Sequence, residues 1–176
     1  MRTEKQISYT ELLVKVAANA LKKHPLLNST LTEDEKIKVY ENINVGVAVA
    51  TEQGLVVPVI HGADNKSPEA IGVELRELAE KARGGKLAKE DVTGGTFTIT
   101  NLGMHGVDLF IPIINPPEAA ILGVGRIGNK PVAQGKEVSI KPMMTLSLAY
   151  DHRIVDGAPA AQFLQEIKKT IEACSF

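Results

Sequence analysis

The chain has 176 residues, of which 44% are hydrophobic, 23% charged and 4% aromatic, and this composition predicts one soluble globular domain with an aliphatic core. The formal net charge is −1 and no basic block is present, so we expect neither nucleic acid nor a membrane as a partner. The N-terminus lacks the apolar core of a secretory signal and Cys174 is the single cysteine, which together predict a reducing, cytoplasmic compartment.

The first half of the chain predicts two helices with a β-hairpin between them. Ser8 begins a capping-box pattern, and apolar residues then recur at helical intervals until Pro25 ends the helix. Three β-type runs follow, at 37–40, 43–50 and 55–60. A turn at 52–54 joins the last two runs into a predicted hairpin. The second predicted helix begins at Ser67 and closes at Gly84.

The second half of the chain is mostly β-type sequence. We predict strands at 96–100, 119–126, 138–140 and 145–150. A last helix begins near Gly157 or Ala158 and runs towards Ala173. This mixture of elements, without a long linker or repeat, predicts an α/β fold: a two-layer sandwich in which helices cover a mixed β-sheet.

The exit of the last predicted strand carries a histidine and a carboxylate. His152 and Asp156 lie four residues apart, just before the predicted C-terminal helix. A proton-transfer group at the mouth of a sheet is suited to be a general base. On these residues alone, a structural pair at the start of a helix remains the alternative.

A threonine-rich strand offers a second candidate site. Alternation places Thr96, Thr98 and Thr100 on one face of the run 96–100. One interpretation is an edge strand with a solvated threonine face. The other is that Thr100, at the strand end before a glycine-rich turn, directs its hydroxyl at a ligand.

A glycine pattern and the four histidines do not add a cofactor or metal site to the prediction. Residues 123–128 match the Gly-x-Gly-x-x-Gly pattern of dinucleotide sites, but that site needs a helix to begin there. The next residues, Asn129-Lys130-Pro131, predict a turn into more β-type sequence, so we regard a nucleotide-binding role as the weakest hypothesis. The four histidines, at 24, 61, 105 and 152, have no metal-ligand spacing, and we expect no metal site.

Taken together, six segments resemble the catalytic acyltransferase core of the 2-oxoacid dehydrogenase complexes, the dihydrolipoyl acyltransferases, which share the fold of chloramphenicol acetyltransferase. The segments are 9–15, 24–28, 54–60, 94–103, 112–125 and 151–157. The most specific are Gly-Gly-Thr-Phe-Thr-Ile-Thr-Asn-Leu-Gly, Pro-Ile-Ile-Asn-Pro-Pro-Glu-Ala-Ala-Ile-Leu-Gly-Val-Gly and Asp-His-Arg-Ile-Val-Asp-Gly, in that order.

The resemblance implies transfer of an acyl group, acetyl by preference, between the thiol of a dihydrolipoyl arm and that of coenzyme A. His152 would be the general base that deprotonates the attacking thiol. Thr100 would donate its hydroxyl to the oxyanion of the tetrahedral intermediate. Asp156 would support the active-site geometry and the imidazolium. Asn101, Leu102, Met104 and His105 would bind substrate, and Val107, Leu109 and Phe110 would lie near the acyl pocket; the residues that bind coenzyme A are unknown.

The resemblance also implies an assembly. The expected unit is a homotrimer whose active site lies between subunits, with the histidine from one chain and the hydroxyl from its neighbour, so a monomer has no complete site. Trimers would form a cage. The partners would be a lipoyl domain, a decarboxylase and a dihydrolipoyl dehydrogenase, in the cytoplasm or, in a eukaryote, in the mitochondrial matrix or a plastid.

Three departures qualify this resemblance. The chain, read as one catalytic domain over 1–176, begins later than family cores and lacks lipoyl and peripheral-subunit-binding domains, so the alternative hypothesis is an inactive structural core fragment. Ala50 replaces an aspartate that pairs with the arginine after the histidine, which leaves Arg153 without its partner unless Glu52 substitutes. The end of the chain, 171–176, is unlike the family's apolar tail.

Overall fold

A computed structural model describes residues 7–174. The N-terminal segment 1–6, in which no secretory signal was found, and the last two positions of the C-terminal tail lie outside these residues. Three helices are α1 (Tyr9–Leu21), α2 (Pro68–Arg83) and α3 (Gly157–Glu172). The strands are β1 (Ser29–Leu31), β2 (Ile37–Val39), β3 (Val45–Val47), β4 (Val49–Thr51), β5 (Gly54–Val56), β6 (Val59–Ile60), β7 (Phe97–Asn101), β8 (Ala120–Val124), β9 (Gly128–Gln134), β10 (Glu137–Met143) and β11 (Leu146–Tyr150).

The helices begin where the sequence predicts. The Ser8 backbone N–H donates to the Glu11 carboxylate at 2.8 Å and the Ser8 hydroxyl accepts from the Glu11 N–H, which completes the capping box. Glu11 is buried and forms an ion pair with Arg76 of α2 at 2.9 Å. Ser67 caps α2 by accepting from the backbone N–H of Ala70. The α1 cap is therefore also a contact between two helices.

The main sheet has five strands in the order β11-β8-β7-β3-β6. The central strand β7 is parallel to both β3 and β8, whereas β11 and β6 are antiparallel to their neighbours. Helix α1 packs against both α2 and α3. Phe97 of β7 meets Phe163 of α3 edge to face, with ring centroids 5.6 Å apart, and both rings are fully buried. The core therefore lies between the sheet and one layer of helices.

Three short antiparallel ladders, β1–β2, β4–β5 and β9–β10, lie outside the main sheet. The predicted hairpin is confirmed as β4–β5, but each of its two long runs divides into two strands. Ala48 donates its N–H to Ile99 on β7, and Pro58, which has no N–H, interrupts the other run. The run 43–50 therefore supplies β3 to the main sheet and β4 to the hairpin.

One local prediction was wrong, and one of the two interpretations of the threonine-rich run is excluded. The segment at Asn129-Lys130-Pro131 is part of strand β9 and not a turn; Pro131 is tolerated there because β9 pairs only with β10 and has a free side. The threonine-rich run is not an edge strand, since β7 lies between β3 and β8.

Candidate active site

The turn that carries His152 is built on the end of strand β11. Asp151 donates its backbone N–H to Ala119 at 2.8 Å, and its carbonyl accepts from Ile154 and Val155. Buried Ile154 and Val155 anchor the turn, while His152 is exposed. Helix α3 begins directly afterwards, with Asp156 as its N-cap residue. The sequence thus holds the imidazole at the surface, as predicted from the strand exit.

Asp156 and Tyr150 are the neighbours of the imidazole. Nδ1 of His152 lies 3.6 Å from Oδ1 of Asp156, beyond hydrogen-bond distance but close enough for a protonated ring to be stabilised by the negative charge. The Asp156 side chain makes no capping hydrogen bond with α3, so the carboxylate is available to the ring. The Tyr150 ring is tilted by 40° against the imidazole at 5.7 Å between centroids.

Among the described residues Arg153 pairs with Asp151 and not with Glu52, the substitute partner that the sequence offered. Arg153 forms a two-pronged ion pair with Asp151, with Nε 3.0 Å from Oδ1 and Nη2 2.6 Å from Oδ2. The guanidinium lowers the pKa of the Asp151 carboxyl below its usual range. The tight turn brings residues two apart into contact, so this pair stiffens the turn beside His152.

Thr100 lies at the other end of the sheet. It is half-buried near the end of β7 and is paired in register with Gly123 of β8. A Cβ at Gly123 would meet Phe110 Cζ at 3.1 Å and Pro112 Cδ at 3.2 Å. Side chains at paired positions share a face, so the Thr100 hydroxyl is on the side where Phe110 and Pro112 pack.

Residues 102–118, here named the cover segment, cross this face of the sheet. The Ser147 hydroxyl donates to the carbonyl of Phe110 at 2.7 Å, and Asn115 Nδ2 donates to the Thr98 hydroxyl oxygen at 3.4 Å. A side chain at Gly125 would overlap with the carbonyl of Asp108. Gly123 and Gly125 therefore make room for the cover segment, and strand β9, not a helix, begins at Gly128.

The predicted substrate-binding residues divide into two groups. Asn101 is used internally: its Nδ2 donates to the Thr10 hydroxyl at 3.1 Å and its Oδ1 accepts from the N–H of Gly103 at 2.8 Å. Leu102 is half-buried, whereas Met104 and His105 are exposed on a short 3-10 turn. Met104 and His105 are therefore available for contact with another molecule, and Asn101 fixes the turn that presents them.

Thr100 and His152 do not meet within one chain. Thr100 is level with Gly123 and Ser147, whereas Tyr150 is level with Ala120, three residues along the sheet and two strands away. With strands about 4.8 Å apart and a rise of about 3.3 Å per residue, Thr100 and Tyr150 are separated by on the order of 14 Å. His152 lies further still along the chain, so a site that uses both residues needs a second copy.

Sequence reasoning missed Glu118, which lies within the family-like segment 112–125 but was assigned no role. Its side chain is buried and its Oε2 has no hydrogen-bond partner among the described residues. Burial raises the pKa of the Glu118 carboxyl to about 7, against the opposing effect of hydrogen bonds from Thr98 and Asn115. A carboxylate directly before a fully apolar strand was the signal available in the sequence.

The described residues contain no group of three or more histidine, cysteine, aspartate or glutamate side chains that could hold a metal ion. Within the same part of the chain, no helix is long and apolar enough to cross a bilayer. A cavity of about 750 Å³ lies between the β9–β10 hairpin, β11 and α3, and neither His152 nor Thr100 lines it.

Comparison with known proteins identifies relatives over the whole chain. The family of 2-oxoacid dehydrogenases acyltransferase (catalytic domain) matches residues 1–176. The dihydrolipoyllysine-residue acetyltransferase component of the acetoin cleaving system of Bacillus subtilis is 44% identical over 95% of this chain and 42% of that protein. The mitochondrial succinyltransferase component of the 2-oxoglutarate dehydrogenase complex of Sus scrofa is 45% identical over 95% of this chain and 37% of that protein. The chain thus spans about two fifths of the length of these curated relatives.

Solved structures confirm the predicted fold class. Dihydrolipoamide acetyltransferase of Azotobacter vinelandii, investigated for the role of a serine, a histidine and an asparagine in its catalytic mechanism, superposes with a TM-score of 0.91 at 41% identity, covering 93% of this chain and 68% of that one. The cubic core of a pyruvate dehydrogenase multienzyme complex gives a TM-score of 0.91 at 41% identity, covering 94% and 68%. Chloramphenicol acetyltransferase, at 12% identity and a TM-score of 0.56 over 92% and 77%, shares the fold alone.

Proposed function

The chain belongs to the 2-oxoacid dehydrogenases acyltransferase (catalytic domain) family, and we propose that it transfers an acyl group between the thiol of a dihydrolipoyl arm and the thiol of coenzyme A. One observation carries the proposal. The serine and histidine of the Azotobacter enzyme are 52 positions apart and its histidine and asparagine four; Thr100 and His152 are likewise 52 apart, and His152 and Asp156 four. A hydroxyl, an imidazole and a hydrogen-bonding side chain recur at the same spacing.

In the proposed reaction, His152 accepts the proton of the attacking thiol. The thiolate is the nucleophile, and an imidazole within reach of the thiol accepts its proton as general base. The resulting imidazolium lies 3.6 Å from the Asp156 carboxylate, which stabilises the charge. Since both substrates are thiols of similar basicity, the same base serves both directions.

Thr100 acts on the other side of the thioester. Attack on the carbonyl carbon places negative charge on its oxygen, and a hydroxyl already in place stabilises that charge without reorganisation. Thr100 is half-buried beside the cover segment, next to the packed Phe110 and Pro112. Partial exclusion of water there strengthens the hydrogen bond to the developing oxyanion.

We propose that each active site lies between two copies of the chain, with His152 from one and Thr100 from the next. The separation of these residues within one chain supports this arrangement, as does the similarity to the cubic core of a multienzyme complex. The proposed unit is a homotrimer, with trimers assembled into a larger core. A lipoyl domain would deliver the acyl group, and a decarboxylase and a dihydrolipoyl dehydrogenase would complete the reaction sequence.

The acyl group and the compartment belong to the proposal as well. Acetyl- and succinyltransferases are almost equally similar to this chain, at 44% and 45% identity, so identity does not rank the acyl groups. We propose acetyl because the sequence shows no succinyl-type signature. The relatives include bacterial and mitochondrial enzymes, and we propose a bacterial cytoplasm or a mitochondrial matrix.

The test is acyl transfer from acetyl-coenzyme A to dihydrolipoamide, with a panel of other acyl donors alongside. We expect His152→Ala to lower turnover by about 100- to 10,000-fold, the range typical for loss of a general base, with the oligomer size unchanged. His61→Ala, at an exposed histidine outside the proposed site, is the matched control. Near-wild-type turnover of His152→Ala would eliminate the mechanism.

Thr100 is tested by a pair of variants. Thr100→Ala should lower turnover by about 100- to 1,000-fold, as for loss of one oxyanion donor. Thr100→Ser keeps the hydroxyl and should retain activity, in line with the serine of the Azotobacter enzyme. An effect of Thr100→Ala confined to substrate binding contradicts the oxyanion role. Assembled particles without any transfer would instead support the structural core fragment.

A further inference from the structure

Glu118 joins three parts of the molecule that surround the proposed chemistry. It ends the cover segment and directly precedes Ala119, whose carbonyl accepts from the N–H of Asp151 at the base of the His152 turn. Through Asn115 it is also connected to Thr98, two residues before Thr100 on the same face of β7. Movement of this carboxyl would therefore disturb both the cover segment and the turn.

The carboxyl is closely confined. Its exposure is 7%, and Oε1 accepts from Asn115 Nδ2 at 3.4 Å. A Cβ at Gly95 would lie 2.9 Å from Oε1, so the carboxyl packs directly against the backbone there. Oε2 is buried without a hydrogen-bond partner among the described residues. Such a site accommodates a neutral group better than a charge.

The titratable groups on the surrounding elements do not offset a negative charge on Glu118. His61 is exposed and lies beside Gly94. Glu41 is exposed and lines a cavity with Gly95 and Pro117, and Asp151 is already paired with Arg153. None of these groups contributes to the raised pKa of Glu118, which arises from burial and is opposed only by Thr98 and Asn115. The carboxyl is thus half-ionised near neutral pH.

We propose that Glu118 is a positioning residue for the acyl transfer: as a neutral carboxyl it fixes the cover segment against β7, and on losing its proton it loosens that segment. The neutral form accepts from Asn115 Nδ2 and brings no net charge into the buried site, whereas the ionised form leaves a buried charge without a cation. Loosening lets water reach the carboxylate. The effect on catalysis rests on the proposed function, but the link between the ionisation of Glu118 and the loosening of the cover segment does not.

The first measurement is hydrogen–deuterium exchange of the cover segment in the full chain, corrected for the intrinsic effect of pH. With a pKa of about 7 when closed and an ordinary value when open, the opening equilibrium should rise by about tenfold between pH 6 and pH 8. Glu118→Gln is neutral at both pH values and should remove this rise. Glu80→Gln, an exposed glutamate on α2, should behave as wild type.

The second measurement is the pH dependence of KM for the acyl donor and of kcat. We expect the wild-type KM to rise above pH 7 and the Glu118→Gln KM to stay level. A wild-type exchange profile that is flat after correction overturns the proposal even if Glu118→Gln does not fold. Equal slopes in wild type and Glu118→Gln also overturn it. Absence of all transfer with the expected exchange profile counts against the proposed function alone.

Discussion

Co-assembly of two inactive variants tests the division of the active site between chains. Thr100→Ala keeps His152, and His152→Ala keeps Thr100, so a mixed oligomer can contain intact sites that neither pure oligomer has. The separation of about 14 Å between Thr100 and the end of β11 follows from the strand register. No change of rotamer spans that distance, and complementation is therefore expected only if the site is intermolecular.

The expected activity of the mixed oligomer follows from counting the complete sites. Each site takes a histidine from one chain and a hydroxyl from its neighbour, so with equal and random mixing half of the histidine donors and half of the hydroxyl donors are intact. About one quarter of the sites are then complete in the unselected mixture, and about one third in three-chain rings that carry both variants, because every such ring contains one complete site. The two variants should be co-expressed with different tags and isolated by both, and transfer between acetyl-coenzyme A and dihydrolipoamide measured per oligomer.

The control is a mixture of the two variants purified separately and combined without subunit exchange, which should show only the sum of the two residual activities. Size-exclusion chromatography with light scattering establishes that all samples have the same oligomeric state. Co-assembled protein that is no more active than this mixture would refute the intermolecular site, and with it the use of His152 and Thr100 in one reaction.

Three further predictions concern stability. Gly125→Ala places a methyl group onto the carbonyl of Asp108 and should destabilise the fold by about 1–3 kcal/mol in urea unfolding; unchanged stability would mean that the cover segment does not pack on β8. Between pH 5 and pH 8 the free energy of unfolding of wild type should fall by about 2–3 kcal/mol relative to that of Glu118→Gln. A carboxyl whose folded pKa is raised to about 7 stabilises the fold fully at pH values below its ordinary pKa, and this contribution is lost as the pH rises through 7. Parallel curves of stability against pH for the two proteins would contradict the burial of the charge. Phe163→Ala removes a fully buried ring from Phe97 and should cost about 3–5 kcal/mol; a cost below 1 kcal/mol would mean that α3 does not close the core.

The sequence predicts the helices well because their ends are fixed by local chemistry. The capping box at Ser8 and the Ser67-Pro68 pair act within a few residues, and the structure places both caps as expected. The division of the run 43–50 at Ala48 is not local. It reflects a change of partner, since β3 pairs with β6 and β7 whereas β4 pairs with β5, and no pattern within the run encodes that change.

Glycine patterns show the same limit. The spacing of Gly123 and Gly125 suggested a phosphate-binding turn, and only the absence of a following helix argued against it. Glycine is required at these two positions because the cover segment passes over β8 there. This contact brings together residues about 15 positions apart in the chain. A glycine that admits another segment cannot be distinguished by spacing from one that admits a ligand.

For the site, the sequence predicted the position of His152 but not its surroundings. The strand exit and the start of α3 locate the imidazole, and Asp156 lies near it as expected. The pairing of Arg153 with Asp151 was not predicted, because it arises from the geometry of the turn. Glu118 was missed because its raised pKa comes from burial by Gly95 and the cover segment, which is a tertiary effect.

The topology separates the two candidate residues within one copy of the chain. β11 is antiparallel to β8, whereas β7 is parallel to β8. The C-terminal end of β11, which leads to His152, and the C-terminal end of β7, which carries Thr100, therefore point in opposite directions along the sheet. A general base and an oxyanion donor must be within a few ångströms of one thioester. One candidate residue therefore lies at each end of the strands, and the proposed site needs the end that carries His152 in one copy to meet the end that carries Thr100 in another.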